Sequence, residues 1–227
     1  MSIACDTCPV RDSAACAVLS EEERRALAKA GSTRRLTRGE VLFAAGDEDT
    51  ACATLVSGAL KVSSYDADGN ERILALIHPS GFIGEMFSPF AEHDVIALSD
   101  SQLCVFARRD MDAALDAYPK LARALLRRSQ EDLHQARNLL ALGAGRSASE
   151  QVGALLLALA QAASDSPCHP RQQFDLPMTR GEMASMLGLT IETVSRALGS
   201  LEKEGAIRRN GTRGIELVDP ARMETGG

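Results

Sequence analysis

The sequence predicts a protein of the α+β class, in which a β-roll is followed by a long helix and then by short helices and a β-hairpin. Residues 34–107 consist of short β-type runs separated by glycines, a spacing typical of a β-sandwich or β-roll. Residues 110–142 show the apolar periodicity of one long helix. Helix start and stop signals recur from residue 179 onward, and an Asn-Gly turn follows them.

Length, composition and charge limit the classes of protein to which the chain can belong. Its 227 residues suffice for two domains, and we predict segments of 1–109, 110–143 and 144–227. No apolar stretch is long enough to span a bilayer and the N-terminus lacks a secretory pattern, so we expect a cytoplasmic protein without membrane contact. The net charge of −6 argues against nucleic-acid binding through bulk electrostatics, so any DNA contact requires a small local surface.

The predicted long helix carries a heptad seam, with charged residues beside it. Such a seam favours pairing with a second copy of the chain, although it also fits a helix that packs on its own β-domain. Because several seam residues are small or polar, we expect two such helices to associate weakly, so that a signal could change the strength of their association. The predicted dimerisation residues are Ala122, Leu126, Ser129, Leu133, Ala136 and Leu140.

Two short helices joined by a glycine are predicted from residue 179 onward. Thr179 and Glu182 have the spacing of a capping box, and Gly188 can supply a left-handed turn. Thr190 then caps the second helix, whose apolar residues recur at helical spacing. This order of signals predicts a helix-turn-helix.

The outward face of the second helix carries side chains suited to base edges. Arginine pairs with guanine, a carboxylate accepts from cytosine, and the N-terminal end of such a helix enters the major groove. The hairpin around Asn210-Gly211 is predicted to be a wing whose arginines reach phosphates. A solvent-exposed helix with an ordinary scatter of charges would not explain why a cap, a turn, a polar face and a basic wing follow one another along the sequence. The predicted DNA-binding residues are Thr179, Arg180, Thr190, Glu192, Thr193, Ser195, Arg196, Arg208, Arg209 and Arg213.

These motifs resemble the CRP/FNR family of bacterial transcription regulators over nearly the whole chain. Residues 179–196 are similar to the family's helix-turn-helix signature, while 38–47, 56–58 and 81–85 resemble its β-roll, a jelly roll like that of cyclic-nucleotide-binding domains. The resemblance implies a winged-helix homodimer that reads a palindromic site on double-stranded DNA.

The resemblance also implies roles for particular residues. Glu192, Ser195 and Arg196 look like the reading set of the FNR branch, which favours TTGAT half-sites, with Arg196 and Glu192 on a G·C pair. Exposed loops of such proteins contact RNA polymerase, and we expect them near Ser80-Gly81 and Phe87-Ser88-Pro89.

The fold alone does not decide which signal the β-roll senses. Within the family, cyclic-nucleotide binding implies Glu85 for the ribose and an Arg-Ser or Arg-Ala pair for the phosphate. Glu85 is present, but the matching segment reads His93-Asp94-Val95, and a carboxylate there disfavours a phosphate anion. We therefore expect no cyclic nucleotide.

Clustered cysteines indicate metal or redox chemistry in a reducing compartment. Cys5-x-x-Cys8 and Cys16 supply three thiolates on one short flexible segment, as an iron–sulfur cluster requires. The resemblance supplies a fourth, because Cys104 stands where the FNR branch has its internal ligand, and the seven-residue gap before Cys16 resembles the FnrL/FnrN type. The resemblance therefore implies one [4Fe–4S] cluster per chain at these four cysteines. It also implies that this cluster stabilises pairing of the long helices until oxygen attacks it.

Other interpretations of the cysteines stay open. Four thiolates could hold Zn²⁺ tetrahedrally as a thiol or zinc switch, or the chain could lack a cluster and be regulated only by its abundance. Cys104 would then be a small buried hydrophobe in a strand. Cys52 and Cys168 stand alone and are predicted not to be ligands. The histidines are scattered and no catalytic motif is visible, so we do not expect an enzyme.

Overall fold

A computed structural model of the chain describes residues 5–48, 51–142, 147–164 and 169–224, although not the side chains of 135, 138–142 and 224. The chain divides into two compact units. One comprises Met1–Tyr65 with Leu74–His134, and the other comprises Asp66–Ile73 with Gln135–Gly227. The mixed architecture, with an N-terminal β-domain and a C-terminal helix-turn-helix, confirms the predicted fold class.

Eight short strands build the β-domain. They are β1 Gly31–Leu36, β2 Val41–Phe43, β3 Cys52–Ser57, β4 Leu60–Tyr65, β5 Glu71–Ile77, β6 Phe82–Ile83, β7 Asp94–Ala97 and β8 Ser101–Phe106. They form two four-stranded sheets, with strand orders β1-β8-β3-β6 and β2-β7-β4-β5. Side chains alternate along each strand, so one face of each sheet supplies a common apolar core in which Leu55, Leu60 and Leu103 are fully buried.

Three helices accompany these sheets: α1 Glu21–Ala30, α2 Arg108–Ala117 and α3 Pro119–Leu142. The start of α1 is a capping box, in which Ser20 and Glu23 each bind the other's backbone amide. The prediction of one helix over 110–142 is wrong at its N-terminal end, because the helix is interrupted before Pro119. Proline lacks an amide proton and disfavours a helical conformation in the preceding residue, and Tyr118 accordingly lies at φ −127° and ψ 79°.

The second unit contains the predicted helix-turn-helix and wing. Its elements are α4 Ala148–Ala162, β9 Gln173–Asp175, α5 Arg180–Leu187, α6 Ile191–Lys203, β10 Ile207–Asn210, β11 Gly214–Leu217 and α7 Ala221–Glu224. The β10–β11 hairpin turns at Gly211, and β9 pairs with β11, so the wing is a three-stranded sheet. The predicted segment boundary at 143–144 and the isolated Cys168 lie outside the described residues. Within the described ranges, no helix has both the length and the apolar character needed to cross a membrane.

Candidate metal centre and nucleic-acid interface

Four cysteines from two distant parts of the chain line one cavity: Cys5, Cys8, Cys16 and Cys104. Strand β8 carries Cys104 in the interior of a sheet, where it is paired with β1 on one side and β3 on the other. Because side chains alternate along a strand, Leu103 enters the core between the sheets and Cys104 projects from the opposite face. The sheet therefore presents this thiol to the N-terminal segment.

The N-terminal segment carries the other three thiols on tight turns. Cys5–Thr7 and Ala15–Val18 are single turns of 3₁₀ helix. Val10, Ala14 and Leu19 are buried, and Leu19 belongs to the apolar cluster that contains Phe106 of β8. The sequence predicts a flexible segment here, whereas the described residues are folded because these apolar side chains are removed from water.

The cysteine thiols influence one another's protonation. Burial is the main cause that raises the pKa of Cys5, Cys16 and Cys104, and the neighbouring thiols raise it further. Thiols with a raised pKa are protonated at neutral pH and are poor nucleophiles. A bound metal deprotonates cysteine ligands because its positive charge offsets their mutual repulsion. The raised pKa values therefore argue against a reactive-thiol switch at these cysteines.

Whether these cysteines suit a metal depends on whether the bound group is a single ion or a cluster. Among the described residues, no three His, Cys, Asp or Glu side chains are arranged to hold a single metal ion. A four-iron cluster has four cysteine ligands that stand around its volume instead of converging on one point. Four cysteines that line one cavity supply the number and kind of ligands that such a cluster requires. Cys52 lies outside the cavity, in β3, where burial raises its pKa to about 11.

Two arginines also line the thiol cavity, Arg11 and Arg24. Arg24 shares one face of α1 with Leu27 and Ala28, which line the same cavity at spacings of three and four residues. Sequence reasoning missed both arginines, although this helical spacing is a signal that could have indicated Arg24.

A second cavity, of about 140 Å³, lies within the β-domain beside Glu85 and His93. The Glu85 carboxylate accepts a hydrogen bond from the Glu92 amide at 3.2 Å, and the Asp94 carboxylate accepts one from the Ala45 amide at 2.6 Å. Asp94 therefore contributes a carboxylate where the resemblance would require a cation for a cyclic phosphate. The absence of a cyclic nucleotide stays a prediction.

The helix-turn-helix has the local geometry that its sequence predicts. The Thr179 hydroxyl accepts from the Glu182 amide at 3.2 Å, and the Glu182 carboxylate accepts from the Thr179 amide at 2.6 Å. Gly188 adopts the left-handed conformation at φ +67°, which glycine tolerates without steric cost. Thr190 caps α6 by accepting from the Thr193 amide at 3.2 Å. The buried apolar residues of the motif are Met183, Ala184, Val194, Leu198 and Leu201.

The exposed face at the start of α6 carries the predicted reading residues. Glu192 and Arg196 are exposed, while Thr193 and Ser195 are half-buried. The Arg196 guanidinium makes only long contacts, at 3.4 Å, with the Glu192 carbonyl and the Thr193 hydroxyl. Such contacts are weak, so this cation can reorient toward a base edge.

The wing arginines differ in their environment. Arg208 is paired with Glu216 at 2.8 Å, and Arg209 donates through two guanidinium nitrogens to Glu202 on α6. Arg180 and Arg213 are exposed, line a common cavity beside α6, and take part in none of the ion pairs between described residues. The two unpaired arginines are therefore better placed than Arg208 and Arg209 to bind a phosphate.

The described seam residues of α3 are exposed or half-buried. Leu126 and Leu133, one heptad apart, are 64% and 50% exposed. Ser129 is also exposed, and Ala122 and Ala136 are half-buried. The side chain of Leu140 lies outside the described part of the chain. Exposed leucines at this spacing are typical of a helix that pairs with another helix.

The chain matches a Crp-like helix-turn-helix domain over residues 150–225 and a cyclic nucleotide-binding domain over residues 33–118. It is 32% identical to the transcriptional activator protein FnrL of Cereibacter sphaeroides, over 96% of this chain and 90% of FnrL. The chain belongs to the CRP/FNR family of transcription regulators. It is also 33% identical to the nitrogen fixation regulation protein FixK of Bradyrhizobium diazoefficiens, over 97% of this chain and 92% of FixK.

Solved structures of CRP/FNR proteins agree with this assignment. The structure of FixK2 from Bradyrhizobium japonicum is similar, with a TM-score of 0.77 at 25% identity, over 85% of this chain and 95% of FixK2. The chain is therefore a DNA-binding transcription regulator of the CRP/FNR family, in its FNR branch. Its relatives are named as transcriptional activators and regulators, which confirms that the chain is not an enzyme.

The loops expected to contact RNA polymerase are only partly accessible. Ser80 and Gly81 are buried, so the expectation of an exposed loop at this point is wrong. The Ser80 amide donates to the Leu55 carbonyl at 2.8 Å, and this pairing holds the turn against β3. Phe87 is 98% exposed, and Arg108 donates to the carbonyls of Met86 and Ser88 on either side of it.

Proposed function

We propose that this CRP/FNR regulator is a cytoplasmic homodimer that senses oxygen through a [4Fe–4S] cluster. In the absence of oxygen it binds a palindrome of TTGAT half-sites. Cys5, Cys8, Cys16 and Cys104 would be the four cluster ligands. The observation that carries the proposal is that these thiols, from the N-terminal segment and from β8, line the same cavity.

The cluster would react with oxygen and be lost. The chain's own residues would then convert the loss of the cluster into a change in how two α3 helices pair. Leu121 and Leu125 of α3 line the thiol cavity. They directly precede the seam residues Ala122 and Leu126 in sequence. A change in how the N-terminal segment packs on Leu121 and Leu125 would therefore alter the position of the seam, and with it the affinity of two helices for each other.

The DNA-reading step depends on α6. Arg196 and Glu192 are proposed to recognise a G·C pair, and Ser195 a neighbouring thymine, since these side chains have the required donors and acceptors. Phosphates would be bound by Arg180 and Arg213, whose guanidinium groups have no carboxylate partner among the described residues. RNA polymerase is the proposed protein partner, with the exposed Phe87 as its contact.

The test is an anaerobic purification with assays of iron, sulfide and zinc on the wild type, Cys104→Ser and Cys52→Ala. In the wild type we expect about four irons and four sulfides per chain and a visible colour that air bleaches. In Cys104→Ser we expect the iron, the sulfide and the colour to be lost. Cys52→Ala is the matched control, because Cys52 is a buried thiol of the same sheet that does not line the cavity.

Other results of the same assay would favour the alternatives. One zinc per chain in a colourless protein would indicate a tetrahedral zinc site instead. A protein with neither metal would contradict the proposed sensor and leave the regulator under some other control.

A further inference from the structure

A cation faces the thiol cavity from helix α1. Arg24 is half-buried and lines the cavity together with the thiols of Cys5 and Cys16. Its positive charge therefore acts on the same cavity that these two proposed ligands line.

The charge of Arg24 is less compensated than that of its neighbours. Arg11 also lines the cavity, but it is paired with Glu21 at 3.1 Å. Arg25, the next residue of α1, is exposed and approaches the same carboxylate at 3.8 Å. Within the described part of the chain, no ion pair includes Arg24. Arg24 is thus a cation at the cavity that no ion pair between described residues ties to a carboxylate.

Four thiolates outweigh the positive charge of a [4Fe–4S]²⁺ core, so a loaded site would be negative. A nearby cation stabilises negative charge, most strongly where burial limits screening by water. Loss of one electron from a bound cluster to oxygen would make the site less negative by one charge and would convert the oxygen to superoxide. A fixed cation disfavours this electron loss, because it attracts the more negative state more strongly.

We propose that Arg24 is a positioning residue that raises the reduction potential of the cluster and so sets the rate at which oxygen destroys it. This inference rests on the proposed [4Fe–4S] function. It assigns to α1 a role in sensitivity that is separate from ligation, since Arg24 supplies charge and no ligand atom.

The experiment compares Arg24→Gln, Arg24→Lys and Arg25→Gln with the wild type, all purified anaerobically with full iron. Loss of visible absorbance is followed after addition of a fixed oxygen concentration, and the reduction potential of the cluster is measured by titration. We expect Arg24→Gln to bleach roughly three- to tenfold faster, a range that allows for screening of a half-buried charge. Its potential should be lower than that of the wild type. Arg24→Lys and Arg25→Gln should stay within about twofold of the wild type because each keeps a cation at the cavity.

A second variant tests the same idea without altering Arg24. Glu21→Gln removes the carboxylate that is paired with Arg11, so the cavity gains an uncompensated cation and bleaching should slow. Glu21 is exposed, so this variant tests whether positive charge at the cavity slows bleaching even if Arg24→Gln does not fold or bind iron. Unchanged or faster bleaching in Glu21→Gln would contradict the electrostatic argument on which the role of Arg24 rests.

The outcomes separate the two proposals. A wild type without iron contradicts the cluster itself. Full iron with unchanged bleaching and potential in Arg24→Gln would overturn only the role of Arg24. Equal acceleration in Arg24→Gln and Arg24→Lys would also overturn it, because shape and not charge would then be responsible.

Discussion

At the scale of single residues, the charges of the DNA-binding unit are unevenly compensated. Arg208 and Arg209 are tied to carboxylates, whereas Arg196 is exposed and makes only long contacts. A chain of net charge −6 cannot depend on a general positive field to bind DNA. A few uncompensated arginines at the start of α6 and on the wing can instead provide a local positive surface, and specificity then depends on single side chains.

Replacing Arg196 by Ala is expected to weaken binding to a TTGAT palindrome by about 1–3 kcal/mol per half-site, because a bidentate contact with guanine is lost. Fluorescence anisotropy at one fixed salt concentration measures this on specific and scrambled duplexes. Lys203→Ala is the control, since Lys203 is an exposed cation in the last turn of the same helix. An equal loss on both duplexes would refute the assignment of Arg196 to base recognition.

At the scale of elements, α3 connects the thiol cavity with the seam. Its first turns contribute Leu121 and Leu125 to the cavity. Further along, Arg128 donates to the Ser80 hydroxyl at 3.1 Å, which fastens the helix to the turn between β5 and β6. Leu126 and Leu133 remain exposed, so one face of the helix is attached to the β-domain while the seam is available to a partner.

Leu133→Glu is expected to raise the dissociation constant of the dimer at least about tenfold, since it removes apolar area and opposes two like charges across the seam. Sedimentation measurements on anaerobic protein would detect the monomer. The monomer should fold normally, because Leu133 is already half exposed. Arg123→Ala, at an exposed position off the seam, should leave the dimer unchanged. A Leu133→Glu protein that sediments as a dimer would show that the seam is not the interface.

At the scale of the whole molecule, oxygen sensing requires a coupling between the cluster and DNA affinity. The thiol cavity belongs to the first unit and the reading helix to the second. In our proposal, the cluster acts on how two chains pair and does not alter the reading surface. Such a coupling needs the cluster to favour the dimer by a few kcal/mol.

Exposure of the loaded protein to air should therefore weaken binding to the palindrome at least about tenfold, which corresponds to about 1.4 kcal/mol. Binding to a duplex with a single half-site should change little, because one reading head suffices there. Both affinities can be measured by anisotropy before and after air, at the same salt concentration. An equal loss on the single half-site would place the effect in the reading head and contradict coupling through pairing.

Local signals were sufficient for several parts of this protein. The capping boxes, the left-handed Gly188 and the Asn210-Gly211 hairpin depend on residues only a few positions apart, and all were predictable from the sequence. The proline signal for the interruption before Pro119 was equally local. The apolar periodicity of 110–142 nevertheless led to the prediction of one continuous helix. The buried turn at Ser80-Gly81 was not predictable in this way, because its exposure depends on pairing with a strand more than twenty residues earlier.

For the sensor, the sequence alone provides three clustered cysteines, and only the resemblance adds Cys104, which lies 88 positions beyond Cys16. These thiols share a cavity with Arg24, Leu121 and Leu125 because β8 is paired between β1 and β3, and because the N-terminal segment and three helices pack on one face of that sheet. Helix caps and turns are stabilised by hydrogen bonds within a few residues, so they can be recognised locally. A cavity assembled from distant segments is stabilised by burial of apolar surface, which depends on the packing of the whole unit and has no local signature.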